Sequence, residues 1–122
     1  MAYVVKKSTD PRIVRNWPVV IQIAEDEGKI RKEEIFVDYE VLSQSEVDDI
    51  MRSAQLSGDN IDVALLRRAV KSINGVVDEA NNPVPFNEES FSEALDRANQ
   101  RMAMVGSFFD VQSGRKPARK NS

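Results

Sequence analysis

The chain has 122 residues, 41% apolar and 30% charged, with a net charge of −3. That is the size of one domain and too apolar for a disordered chain. It contains no cysteine and no histidine, which excludes disulfides, thiolate catalysis and cysteine-ligated zinc or iron–sulfur sites, and removes most nucleophilic triads.

Residues 1–16 mix apolar and charged positions without a firm period. They read as an extended arm, a fraying terminus with a short strand at Tyr3–Val5. No apolar stretch follows a basic start, so the arm is not a signal peptide. The longest apolar runs, of four or five residues, fall far short of a membrane span. The expectation is a soluble, cytoplasmic protein.

Trp17, Val19, Ile21 and Ile23 alternate with Pro18, Val20, Gln22 and Ala24, the period of a strand with one buried face. Pro18, lacking an N–H, belongs at its start or edge. After the charged turn Glu25-Asp26-Glu27-Gly28-Lys29, the alternation resumes with Ile35, Val37, Tyr39 and Val41 facing one way and Phe36, Asp38, Glu40 and Leu42 the other. Two such runs around a Gly-bearing turn predict a β-hairpin.

Ser43 followed by Glu46 matches a capping box, and Val47, Ile50, Met51 and Ala54 follow at helical spacing. Ser57-Gly58-Asp59-Asn60 stops that helix and caps a second, with a stripe of Ile61, Ala64, Leu65, Leu66 and Ala69. Over Ala69–Val77, the residues Val70, Ile73, Val76 and Val77 suit either a helix end or a strand; Gly75 and the β-branched density favour a strand from Val70. Asn81-Asn82-Pro83 marks a turn, and Val84-Pro85-Phe86 a short extended piece. Asn87 caps a further helix whose stripe runs through Phe91, Ala94, Leu95, Ala98, Met102 and Val105, with Gly106-Ser107 expected to kink it before Phe108 and Phe109. All 20 acidic residues precede residue 113, whereas four of the 17 basic ones, Arg115, Lys116, Arg119 and Lys120, crowd the last ten positions. The expected fold class is α+β: a small N-terminal antiparallel sheet packed with three to four helices in a single domain over 1–112, then a disordered basic tail over 113–122.

Nothing along the chain assembles a catalytic or metal site. Asp48-Asp49 and Glu88-Glu89 are adjacent on helices, so their carboxylates diverge by about 100°. Asp59-Asn60-Ile61-Asp62 lacks the alternating ligands, central Gly and terminal Glu of a calcium loop, and no phosphate-cradling glycine motif occurs. Arg67-Arg68 with Lys71 forms a basic cluster, but the acidic body around it argues for a solvated face and against nucleic acid. Trp17 is either a core anchor or an interface anchor. Phe108 and Phe109 either close the core or offer an apolar contact. Trp17, Phe108 and Phe109 are therefore the candidate partner-binding residues, and the expectation is a non-enzymatic binding protein without cofactors.

The run from Val77 to Phe91, Val-Asp-Glu-Ala-Asn-Asn-Pro-Val-Pro-Phe-Asn-Glu-Glu-Ser-Phe, resembles a recurring segment of the tail assembly chaperones of long-tailed bacteriophages. The preceding Gly75-Val76-Val77-Asp78-Glu79 step, the Trp17-Pro18-Val19 hairpin, the Phe36-to-Leu42 strand, the order of elements and the basic C-terminus are similar to that family over roughly residues 13–100. Asn81-Asn82 and Asn74 depart from it, standing where a Gly-containing turn and an aromatic are usual. The resemblance implies a protein that binds the tape-measure protein in the host cytoplasm, keeps it soluble while tail-tube subunits polymerise, and is absent from the mature virion. It also implies a longer frameshifted fusion that contacts the tail tube protein, and self-association into an oligomer, with neither membrane nor nucleic acid as partner. The alternatives are a structural tail-completion or adaptor component of the virion and, more remote, an enzyme using carboxylates alone.

Overall fold

A computed structural model describes residues 2–5 and 11–120; Lys6, Lys7 and Asp10 of the predicted arm, and the last two residues of the tail, lie outside the described residues. The hairpin forms from β1 (Ile13–Ala24) and β2 (Ile30–Glu40), joined by a 3₁₀ turn at Asp26–Gly28. A third strand, β3 (Val70–Asn74), pairs antiparallel with β2, giving a three-stranded sheet in the order β1-β2-β3. Four helices complete the fold: α1 (Gln44–Ser57), α2 (Ile61–Ala69), α3 (Glu88–Asp96) and α4 (Ala98–Ser113). The protein is thus an α+β protein. The strand expected at Tyr3–Val5 is not formed, and β1 starts at Ile13 rather than Trp17.

The early start of β1 depends on a bulge. Val14 pairs with Tyr39 and Trp17 with Val37, so Arg15 and Asn16 together face the single residue Asp38. Asn16 takes a left-handed φ of 54°, and its N–H donates to the Asp38 carboxylate at 2.8 Å. An inserted residue bends a strand and increases its twist. A second irregularity opposite Asp38–Tyr39 leaves Lys71 of β3 unpaired between Ser72 and Val70.

The sheet buries one face. Val19 of β1, Ile35, Val37 and Tyr39 of β2, and Ile73 of β3 form one side of the core. The helices supply the other side, with Leu65 and Leu66 from α2, Phe91 and Leu95 from α3, and Met104 and Phe108 from α4. The Tyr39 hydroxyl, deep in this core, donates to the carbonyl of Met104 at 3.0 Å, and burial pushes its phenol well above its ordinary pKa. The alternation in β2 ends with the strand at Glu40, and the chain turn that follows makes Leu42 the buried residue and leaves Val41 only half-buried.

Caps delimit the helices where the residue chemistry predicts. Ser43 Oγ accepts from the Glu46 N–H at 3.2 Å, and Asn60 Oδ1 from the Val63 N–H at 3.0 Å. Gly58 closes α1 at φ 79°, a left-handed conformation that costs glycine little. Glu46 does not return its side chain to complete the Ser43 box; it receives Arg68 Nε instead, at 2.9 Å.

The predicted long helix after Asn87 is two helices. It breaks at Arg97, with φ −85° and ψ 111°. There Arg101 Nη1 donates to the Leu95 carbonyl at the end of α3, and Asn99 at the start of α4 donates to the Gln22 carbonyl on β1. Both bonds satisfy groups that a helix end or a sheet edge leaves open. Gly106-Ser107, by contrast, does not kink the chain; α4 runs through both positions. Beyond α4, the tail returns to the sheet: Arg119 lies 3.3 Å from Glu34 and Lys120 3.3 Å from Glu33. No helix among the described residues is long and apolar enough to cross a membrane.

Candidate functional site

The segment between β3 and α3 builds one wall of a surface groove. At the end of β3, Gly75 adopts φ 89°, and a Cβ there would come within 3.5 Å of the Ile35 Cα. That distance is ordinary van der Waals contact, so it is the left-handed backbone, which glycine adopts readily, that calls for glycine where the chain leaves the sheet. A small hairpin follows. Val77 bridges Pro83, the Val84 N–H donates to the Val76 carbonyl at 2.9 Å, and the Asp78 N–H to the Asn82 carbonyl at 2.9 Å. The Asp78 side chain holds the tip by accepting from the N–H groups of Ala80 and Asn82, each at 2.9 Å. Asn81 takes the left-handed position, at φ 64°, which asparagine tolerates better than most residues.

The exit is fixed as firmly. Asn87 and Ser90 form a reciprocal capping box: Asn87 Oδ1 accepts from the Ser90 N–H at 2.8 Å, and Ser90 Oγ from the Asn87 N–H at 3.0 Å. Ser90 Oγ also donates to the Pro85 carbonyl at 2.8 Å. Phe86 packs on Phe91 with ring centroids 5.2 Å apart.

Between this hairpin and helices α3 and α4 lies an open groove of about 340 Å³. The β3 side and the small hairpin contribute Ile73, Val76, Val77 and Val84, and the approach to α3 adds Phe86. Across from them stand Glu93, Ala94, Arg97 and Gln100. Ile73, Ala94 and Gln100 are buried and form its floor, while Val77 is 52% exposed at its edge. Asp78, Glu79 and Glu93 place three carboxylates along the groove against the single guanidinium of Arg97, and Arg97 is paired with Glu93 at 3.8 Å. Seven of the thirteen lining residues are apolar and six are polar, four of them charged, so the groove pairs an apolar surface with a charged one.

Of the three candidate partner-binding residues, Trp17, Phe108 and Phe109, none lines this groove. Phe108 is fully buried, its ring 6.1 Å from that of Tyr39; it closes the core and presents nothing to a partner, which corrects its place among the contact candidates. Phe109 stacks edge-on against Phe108 at 5.3 Å and is 37% exposed. Trp17 is half-buried against the core, and its indole N–H is buried without an acceptor. The groove residues carried one unused signal: Glu93, Arg97 and Gln100 are spaced four and three apart, a polar line beside the apolar stripe.

The basic cluster is neutralised within the molecule. Arg68 donates to Glu40 at 2.7 Å and to Glu46 at 2.9 Å, and Lys71 lies 3.2 Å from Glu40. The Arg68 hydrogen bond, helped by Lys71, holds the Glu40 carboxyl below its usual range against the opposing effect of burial. Arg67 pairs with Glu88 at 3.0 Å and lies over the Phe91 ring. These cations cross-link β2, β3, α1, α2 and α3 and leave little charge for phosphate. Among the described residues, no group of three or more acidic side chains is arranged to hold a metal ion. No protein-family model, curated protein or solved structure matches the chain.

Proposed function

We propose that this protein is a tail assembly chaperone of a long-tailed bacteriophage, binding the tape-measure protein and keeping it soluble while the tail tube assembles around it. One observation carries the reading: residues 77–91, the segment that resembles that family, build the wall and cap of an apolar groove open at the surface. A groove of this kind can cover an apolar side chain of another protein that would otherwise aggregate. A predominantly acidic body keeps such a complex dispersed in water. Further apolar side chains stand exposed at Leu56 on α1 and Met102 on α4, which suits an extended client more than a compact one. The chain acts without cofactors in the cytoplasm of the infected cell, self-associates, and leaves before the virion is complete. A frameshifted fusion links it to the tail tube protein.

Copurification tests the reading. The tagged chain, expressed with the tape-measure protein of the same genome, is expected to retain it through gel filtration, and mass spectrometry of purified virions is expected to find no copies of the chain. Its presence in virions at fixed stoichiometry overturns the chaperone reading in favour of a tail-completion or adaptor component.

A further inference from the structure

We infer that the groove between the small hairpin and α3–α4 recognises an amphipathic helical segment of the client in which an apolar side chain is flanked by lysine or arginine. This inference deepens the chaperone reading and rests on it. Three features define the preference. The floor, Ile73 and Ala94, is buried and apolar and takes an aliphatic side chain; the volume of about 340 Å³ is at the small end for ligand pockets and fits one or two side chains better than a cofactor. The lip is anionic. Glu93 is paired with Arg97, but neither Asp78 nor Glu79 has a cationic partner among the described residues. Carboxylates beside an apolar groove attract a cation and repel an acidic segment.

Gln100 adds a third feature. It is 4% exposed and lines the groove. Its Oε1 accepts from Arg97 Nη1 at 3.1 Å. A guanidinium can only donate, so the amide orientation is fixed. The Nε2 group then has no acceptor among the described hydrogen bonds and is not one of the fully buried unpartnered atoms, so it is accessible from the groove as a donor. A client carbonyl or side-chain oxygen at the groove would satisfy it.

The probe is a pair of synthetic amphipathic helices with the same leucine stripe, one flanked by lysines and the other by glutamates, titrated into the intact protein by fluorescence anisotropy. The lysine peptide is expected to bind more tightly, with the difference shrinking as salt screens the lip. Glu79→Lys, in an exposed turn, is expected to weaken the lysine peptide about fivefold and to strengthen the glutamate peptide. Val77→Asp, at the exposed edge, is expected to weaken both about tenfold, with circular dichroism confirming the fold of each variant. Equal affinity for the two peptides, or binding indifferent to both substitutions, overturns the inference. So does a light-scattering series in which Val77→Asp dissociates an oligomer while peptide binding is unchanged, because the groove is then filled by a second copy. The chaperone reading stands or falls separately: it fails if the wild-type chain does not retain the tape-measure protein, whatever the peptides do.

Discussion

Gln112, in the last turn of α4, pairs with Leu42 as a strand would: the Leu42 N–H donates to Gln112 Oε1 at 2.8 Å, and Gln112 Nε2 donates to the Leu42 carbonyl at 2.9 Å. One side-chain amide thus satisfies both backbone groups of the residue that links the sheet to α1. It ties the end of the last helix to the end of the hairpin. The Tyr39–Met104 bond joins the same helix to β2 at a second point.

Replacing Gln112 with leucine keeps most of its volume and removes both bonds. Two partly buried backbone groups are then left unpaired, and the expected loss is about 2 kcal/mol, read as a lower urea midpoint at unchanged slope. A variant as stable as the parent would show that water replaces the amide at no cost.

Acid should weaken the protein through Glu40. Its hydrogen bond from Arg68, with Lys71 adding to it, lowers its pKa in the folded state from an ordinary 4.5. The stabilisation from this group is therefore complete above pH 4.5 and is lost as pH falls below that, through the depressed folded value. Glu33, held low by Arg31 and Lys120, and Glu88, held low by Ser92 and Arg67, act in the same direction. Glu40→Gln is expected to cost about 1–3 kcal/mol at neutral pH, because Arg68 loses its shortest partner. It should also flatten the acid limb in thermal melts between pH 3 and pH 5, roughly the window where carboxylates titrate.

Alkali should weaken it through Tyr39. Burial raises this phenol above its ordinary 10.0, so its contribution is intact below pH 10.0 and declines as pH rises beyond that toward the folded value. Tyr39→Phe should cost about 1 kcal/mol at neutral pH through the lost bond to Met104, and should remove this part of the alkaline decline in a melting series.

Gly106→Ala is expected to stabilise the protein by about 0.5–1 kcal/mol. Gly106 lies inside α4, and a Cβ built there meets nothing within 4 Å. Loss of stability, measured by urea unfolding, would show that the position needs glycine.

The parts of this fold that a sequence makes legible are those fixed by neighbours in the chain. Alternation in 17–24 and 35–40 predicts the hairpin because a two-residue period buries one face whatever lies opposite. Ser43, Asn60 and Asn87 predict helix starts because each bonds a backbone N–H three residues on. The break at Arg97 has no such marker. It depends on Arg101 reaching Leu95 and on Asn99 reaching Gln22, and the second of these spans 77 positions. The bulge at Arg15–Asn16 likewise needs Asp38, 22 residues away. Gly106-Ser107 misleads in the opposite sense, since the packing of Met104, Phe108 and Val111 on the core carries the helix through it. The same packing withdraws Phe108 from the surface. The groove was half legible: residues 77–91 drew attention as a family-like segment, but its far wall of Glu93, Arg97 and Gln100 becomes a wall only once α3 and α4 separate.

The most direct test of the chaperone account is the solubility of the tape-measure protein from the same genome, co-expressed with this chain or with its Val77→Asp variant. The account predicts a tape-measure protein that pellets when expressed alone, stays in the supernatant with the parent chain, and pellets again in large part with the groove variant. A tape-measure protein equally insoluble with and without the parent chain contradicts it.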